Sequence, residues 1–561
     1  MSDPAPHRGR RAAERLAGGL LLAAAVAPFW SARFLPLLDL PQHLGLAVAV
    51  ARAGDPASPF APYLAIDPWP VPYWAFDGLM WLLQQLFSPE VSAKLVLSGY
   101  AAGLPLAAAF LLRSLGRDPR WAVLAVPLVF STNLFYGFLP FLVGTPLLLL
   151  ALGLLDRHLA AERPGPGGAV LLAAAAVAVY LSHPQPFLLL GFAALLLLGL
   201  HWRGPGWAVR RALPLLPALG LFAAWVARAF LAPHPALQRP GYSWYGRPWQ
   251  LGASWEPFGE RVGRGMEHLF GSFSDRSDRW LGWALLALLT LAAAAARAGP
   301  AQAGADPSLR QRLRRRRGEV LCLAFLLLWL CLPYSVRGQW YLAPRYLVFA
   351  ALLGPAFLRA PADGPRRWLL AAGAALALLV CGNAASKVRA FQPEMAGLDE
   401  VLSRAEQGGR LAGLLFLHRI EDGAVREIEP GPVRHPGLDP DQPRPAEQRI
   451  STLHHAPAWY QVWRGGDLGM SFAGLPSNPV RYRPGMQAPF PLEWRPEDFD
   501  FEAMGRFYDW YLVRGAPPGF AAALARHAAP VARSGRWELW RRAGPAPGGG
   551  ASGAQAPSRS R

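Results

Sequence analysis

"RLAGGLLLAAAVAPFWSARFLPLLDLPQHL", residues 15–44, is an oily run that ends on Asp39 and, one helical turn later, His43. The stretch from Leu16 to Leu38 meets the length of about 20 apolar residues that a bilayer crossing needs. Its basic start resembles a secretory signal. No small-residue cleavage site closes it, so it reads as an uncleaved first span. Asp39 and His43 then stand where oil meets water. Two readings compete: the pair marks a helix end, or it is the working face of a membrane enzyme.

The rest of the chain follows the same pattern. Of 561 residues, 53% are hydrophobic and 17% charged, against about 25% charged in a soluble protein. Further apolar runs place spans near 91–112, 121–138, 139–156, 168–184, 186–202, 211–231, 279–297, 319–335, 341–358 and 368–385, roughly eleven in all. The expected fold is a mainly α polytopic membrane protein with a small α/β or α+β C-terminal domain.

Arginines set the orientation, because short cytoplasmic loops retain Lys and Arg. Arg113, Arg117 and Arg120, then Arg157 and Arg163, then Arg203, Arg210 and Arg211, then Arg314–Arg317, then Arg359, Arg366 and Arg367 fall after alternate spans. They share a side with the basic N-terminus (1–15), which puts that side in the cytoplasm. The outer side receives 39–90, 232–278 and everything from 386. The net charge of +19 is thereby explained by topology, and nucleic-acid binding is not called for. Cys322, Cys331 and Cys381 lie in apolar runs without ligand spacing and read as small hydrophobes.

Within 39–90, "PQHLGLAVAVARAG" predicts a short helix with one apolar face. "VPYWAFDGLMWLLQQLF" (71–87) predicts a helix lying in the interface, since a crossing there would invert the arginine pattern. In 386–545, "FYDWYLVRG" (507–515) and "GRWELWRRAG" (535–544) predict strands around a helix at 518–528. Residues 546–561 have a composition too polar and Gly-rich to pack.

The outer face collects polar groups. Asp39 and His43 can share a pocket if the chain is helical from Pro41. Asp67 and Asp77 lie in the same segment. His183 ends the fifth span, and Arg337 and Arg345, with Tyr346, flank the turn between the ninth and tenth. Each also has a structural reading: helix end, turn, interface anchor or snorkelling cation. Taken together, a carboxylate suits a general base and a guanidinium suits a phosphate leaving group. His454 and His455 of "STLHHAPAW" read as neighbours on a strand, facing opposite ways, which disfavours a two-His metal site.

The segments "LLDLPQHL" (37–44), "VPYWAFDGLMWLLQQLFSPEVSAKL" (71–95) and "LAPRYLVFAALLGPAF" (342–357) resemble the GT-C superfamily of membrane glycosyltransferases. Lipid A arabinosyltransferases and protein mannosyltransferases are bacterial relatives in that group. "FYDWYLVRG…RWELWRR" resembles the outer domain many members carry. The resemblance implies a bacterial inner-membrane enzyme. It would transfer a sugar from a polyprenyl-phosphate-linked donor to a lipid, glycan or protein acceptor on the outer face. It makes Asp39 the essential acid, Asp67 a possible second acid, and Arg345 a phosphate ligand; His43, one turn from Asp39, is expected to support it. Arg337, His183 and Tyr346 complete the expected substrate contacts. The first loop has no Asp-X-Asp pair, so no motif calls for a divalent metal, and no other cofactor is implied. The alternative is a transporter or lipid flippase, whose charges would sit near mid-bilayer in repeated halves.

Overall fold

The computed structural model describes residues 5–231, 253–273, 275–296, 308–336, 339, 341–358, 363–417, 419–421, 424–426, 451–491 and 496–543. Arg337 lies outside them, as does much of the 232–278 loop. Among the described residues, seven helices are long and apolar enough to cross a membrane: Ala12–Trp30, Pro89–Ser114, Leu139–Ala160, Pro184–His201, Pro205–Ala229, Ser277–Ala295 and Arg367–Met395. Shorter apolar helices stand beside them at Pro166–Ser182, Arg317–Cys331 and Leu342–Phe357. Leu139–Ala160 is central, with 72% of its apolar window buried. Ala12–Trp30 and Pro205–Ala229 are peripheral at 17%.

The arginine-rich ends meet on one side. Arg117 pairs with Glu319 at 3.0 Å, and Arg317 with Asp156. Arg120 reaches both Asp363 and Glu14 of the first helix. Arg211 donates to the His158 and Ala161 carbonyls. These contacts join loops that the sequence assigns to the same face.

The stretch expected as a continuous helix at 121–138 is different. It runs as 3₁₀ turns at Pro119–Ala125 and Pro127–Phe130, then a single α turn at Thr132–Phe135. Pro127 has no N–H to continue an α ladder. At about 2.0 Å per residue, a 3₁₀ path from 119 to 135 covers roughly 30 Å, where an α-helix at 1.5 Å would cover about 25 Å. Such backbone is tolerated at membrane depth only when protein surrounds it. Trp121, Leu124, Leu128 and Val129 are accordingly buried, and Tyr100 donates to the Val129 carbonyl at 3.1 Å.

Beyond the first span, Leu40–Ala51 forms the short helix, with proline in its first turn. The expected single apolar face is not what appears: every residue from Leu40 to Val50 is buried. The C-terminal domain covers the other side. Gln42 donates to the Met470 carbonyl, and Gly45 lies so close to Gln461 that a β-carbon would sit 2.8 Å from its oxygen. Within 71–87 the helix is Trp74–Gln84. Its 11 residues rise only about 16 Å, too short to cross. Phe76, Asp77 and Met80 face inward while Leu79, Trp81 and Leu82 are exposed.

The C-terminal domain holds a five-stranded sheet in the order Ala528–Ser534, Trp537–Arg542, Trp510–Arg514, Arg410–Leu415, Asp467–Leu468. The first three strands are antiparallel neighbours, and the last two pairings are parallel. Helix Pro518–His527 connects two of the strands. The domain is sewn to the membrane part. Val480–Tyr482 pairs with Leu64–Ile66, and Trp225 donates to the Pro476 carbonyl at 3.1 Å. His454 and His455 lie in a turn rather than a strand. Pro457 and the helical turns Ala456–Ala458 and Trp459–Arg464 directly after them leave no extended run at that point.

A buried arginine closes one short span. Arg261 donates to the carbonyls of Trp329, Leu330 and Leu332, the last turn of Arg317–Cys331. Glu256 faces it at 3.5 Å and also meets Arg264 and His268. Replacing Arg261 by Met strips those carbonyls and weakens the neutralisation of a buried carboxylate. The expected outcome is a loss of about 3–5 kcal/mol, read as a lower thermal midpoint of the detergent-solubilised protein.

Candidate functional site

Asp39 is fixed by its own backbone. The Leu38 and Asp39 amides donate to the carbonyls of Phe135 and Tyr136, so the end of the 3₁₀ segment holds the start of the Leu40–Ala51 helix. Gly137 makes this approach possible. Its φ is +75°, and a β-carbon there would lie 2.7 Å from the Asp39 nitrogen. Asp39 occupies the N-cap position, yet its carboxylate makes no capping bond to the helix. It pairs instead with Nδ1 of His455 at 3.0 Å, with both side chains largely buried.

His43 follows one turn later, its amide bonded to the Asp39 carbonyl. Its ring meets Tyr73, Phe76 and Phe472 edge-on at 6.1, 5.5 and 5.4 Å. Phe472 also meets His455 at 5.2 Å. Burial, reinforced by the nearby His455, pushes the His43 pKa down to about 3. His43 is therefore a neutral imidazole at neutral pH.

Arg345 enters from the Leu342–Leu353 helix. Its guanidinium lies 3.6 Å from the Phe138 ring centroid and donates to Gln185 Oε1 at 3.2 Å. It is within electrostatic reach of Asp39 and Tyr73. Its Nε is buried without a hydrogen-bond partner among the described residues. The Gln185 backbone N–H donates to His183 Nδ1 at 3.1 Å. His183 stacks on Tyr73 at 5.4 Å and meets Phe141 edge-on. Tyr73 (φ 77°) and Tyr341 (φ 59°) both adopt the left-handed conformation. That costs a non-glycine residue about 1–3 kcal/mol and persists where packing enforces it.

Asp39, His43, His183, Arg345 and Tyr346 thus form one constellation. Asp67 is elsewhere: its carboxylate meets Arg228 at 2.8 Å and Arg481 at 3.7 Å. Asp77 is buried without a hydrogen-bond partner among the described residues, and burial pushes its pKa up to about 8. Sequence reasoning missed His455, Gln185 and Tyr73 as members. "SHPQP" carried a signal for Gln185, a polar residue two positions after His183 at a span end. Among the described residues, no three His, Cys, Asp or Glu side chains gather as a metal would require.

No family model matches the chain, and no curated protein does. Among solved structures, it is similar to ArnT from Cupriavidus metallidurans bound to undecaprenyl phosphate. That match has 13% identity and a TM-score of 0.48, over 94% of this chain and 97% of that one. The apo state of the same protein matches at 12% identity with the same score, over 93% and 97%. ArnT is a GT-C glycosyltransferase. At this identity and score, the likeness assigns no reaction to the present chain.

The state of His43 is testable through pH. Unfolded, it protonates below about 6.5; folded, it stays neutral until about pH 3. The unfolded chain binds the proton first, so stability falls as pH drops through that interval. His43→Gln removes this contribution. The thermal midpoint of the variant should decline less steeply between pH 6.5 and 4 than that of the wild type.

Proposed function

We propose that the protein is a glycosyltransferase of the bacterial inner membrane. It takes a sugar from a polyprenyl-phosphate-linked donor and delivers it to a hydroxyl of a lipid, glycan or protein acceptor at the outer face. The observation that carries this reading is the Asp39–His455 pair within electrostatic reach of Arg345. A base and a cation are what displacement of a phosphate from an anomeric carbon requires.

In this mechanism the acceptor oxygen attacks the anomeric carbon while the bond from that carbon to the phosphate oxygen breaks. The acceptor proton passes to Asp39, which His455 orients. The electron pair leaves on the phosphate, and Arg345 meets the charge that develops there. Gln185 holds Arg345, and Tyr346 lies beside them. His43 and His183, with Tyr73 between them, wall the site. Asp67 is left out of this chemistry because two arginines occupy its carboxylate. The outer location rests on the arginine pattern of the loops.

The test begins with the lipid that copurifies with the protein, identified by mass, and with transfer from its glycosylated form in membranes. Asp39→Asn is expected to lower the rate by about 10²–10⁴-fold at normal protein level. Full activity of that variant overturns the assignment.

A further inference from the structure

A second polar site lies at the seam between the membrane helices and the outer domain. Asp67 from the outer segment, Arg228 from the end of the Pro205–Ala229 span and Arg481 from the Val480–Tyr482 strand line a cavity of about 350 Å³. Ile66, Val71 and Trp225 supply apolar wall. No described hydrogen bond or ion pair links this group to the Asp39 constellation.

The charges in the cavity do not balance: two guanidiniums face one carboxylate. The two arginines are also held differently. Arg481 is spent, donating to the Leu475 and Pro476 carbonyls besides facing Asp67. Arg228 donates from one nitrogen to Asp67 and lies over the Trp69 ring at 5.4 Å. Its Nε and Nη2 have no partner among the described residues, and the side chain is 49% exposed. It is a cation held in place by an aromatic face, with donors left over. It also stands at the end of a span of whose apolar window only 17% is buried among the described residues, where an alkyl chain can lie alongside.

We infer that this cavity binds a phosphate ester, with Arg228 gripping the phosphate in place of part of its contact with Asp67. Paired guanidinium donors suit phosphate oxygens. The apolar wall suits the carbon skeleton next to the phosphate. Asp67 acts as an internal competitor that sets the affinity. The site goes beyond the transfer reading and does not depend on it. A lipid headgroup and a soluble phosphate ester share the chemistry that it recognises.

The test uses the full chain in phosphatidylcholine nanodiscs and a long-chain alkyl phosphate with a diazirine near the phosphate, mapping the labelled peptides. Labelling around 225–229 and 476–481 is expected, with the matching uncharged alcohol failing to label there. Arg228→Gln should weaken labelling at least tenfold, while Asp67→Asn should strengthen it. Asp39→Asn should leave it unchanged, which separates this site from the proposed chemistry. Competition by phosphatidic acid in the nanodisc, but not by glycerol 3-phosphate in solution, assigns a lipid; competition by glycerol 3-phosphate assigns a soluble ester. Equal labelling of wild type and Arg228→Gln, or weaker labelling in Asp67→Asn with an unchanged thermal midpoint, overturns the proposal.

Discussion

The arrangement depends on a carboxylate and an imidazole drawn from opposite ends of the chain. A largely buried carboxylate is costly unless a partner or a hydrogen-bond donor meets it. His455 meets Asp39 at 3.0 Å from a turn of the C-terminal domain. That one contact requires the domain to sit on the Leu40–Ala51 helix, which in turn requires small residues and polar partners along the seam. Gln42, Gly45 and Gln461 meet this requirement.

The same constraint explains why the seam is tied at several points. The Leu64–Ile66 and Val480–Tyr482 strands set the register. Glu394, at the C-terminal end of the last span, is buried against Arg514 of the sheet. Each tie fixes the angle at which the domain meets the spans, and so the distance between Asp39 and His455. On the other flank, Phe138 and Gln185 hold Arg345. The polar groups are therefore set by rigid neighbours on several elements, as a preorganised site requires.

How much of this was legible follows from where each signal resides. Asp39 and His43 are four residues apart, so their common face is a local property that spacing reveals. Arg345 stands at the head of an apolar run, where a cation needs a reason. The strands at 510–514 and 537–542 and the helix between them show in their patterning. His455 could not be found this way, because its partner is fixed only by tertiary docking. The burial of Leu40–Val50 on all sides was hidden for the same reason: a covering domain leaves no trace in helical periodicity. The 3₁₀ path was hidden because its side chains are as apolar as those of an α-helix, and Pro127 was the sole local hint. Asp67 looked like part of the first group by proximity in sequence, but its neighbours in space are Arg228 and Arg481.

The irregular path from 119 to 135 bears on how the chain is made. A regular helix satisfies its own backbone and can be released into lipid as soon as it leaves the ribosome. A 3₁₀ stretch broken at Pro127 leaves part of that task to its neighbours, as the Tyr100 hydroxyl shows by meeting the Val129 carbonyl. The place that anchors Asp39 is thus one whose backbone is completed by the surrounding helices.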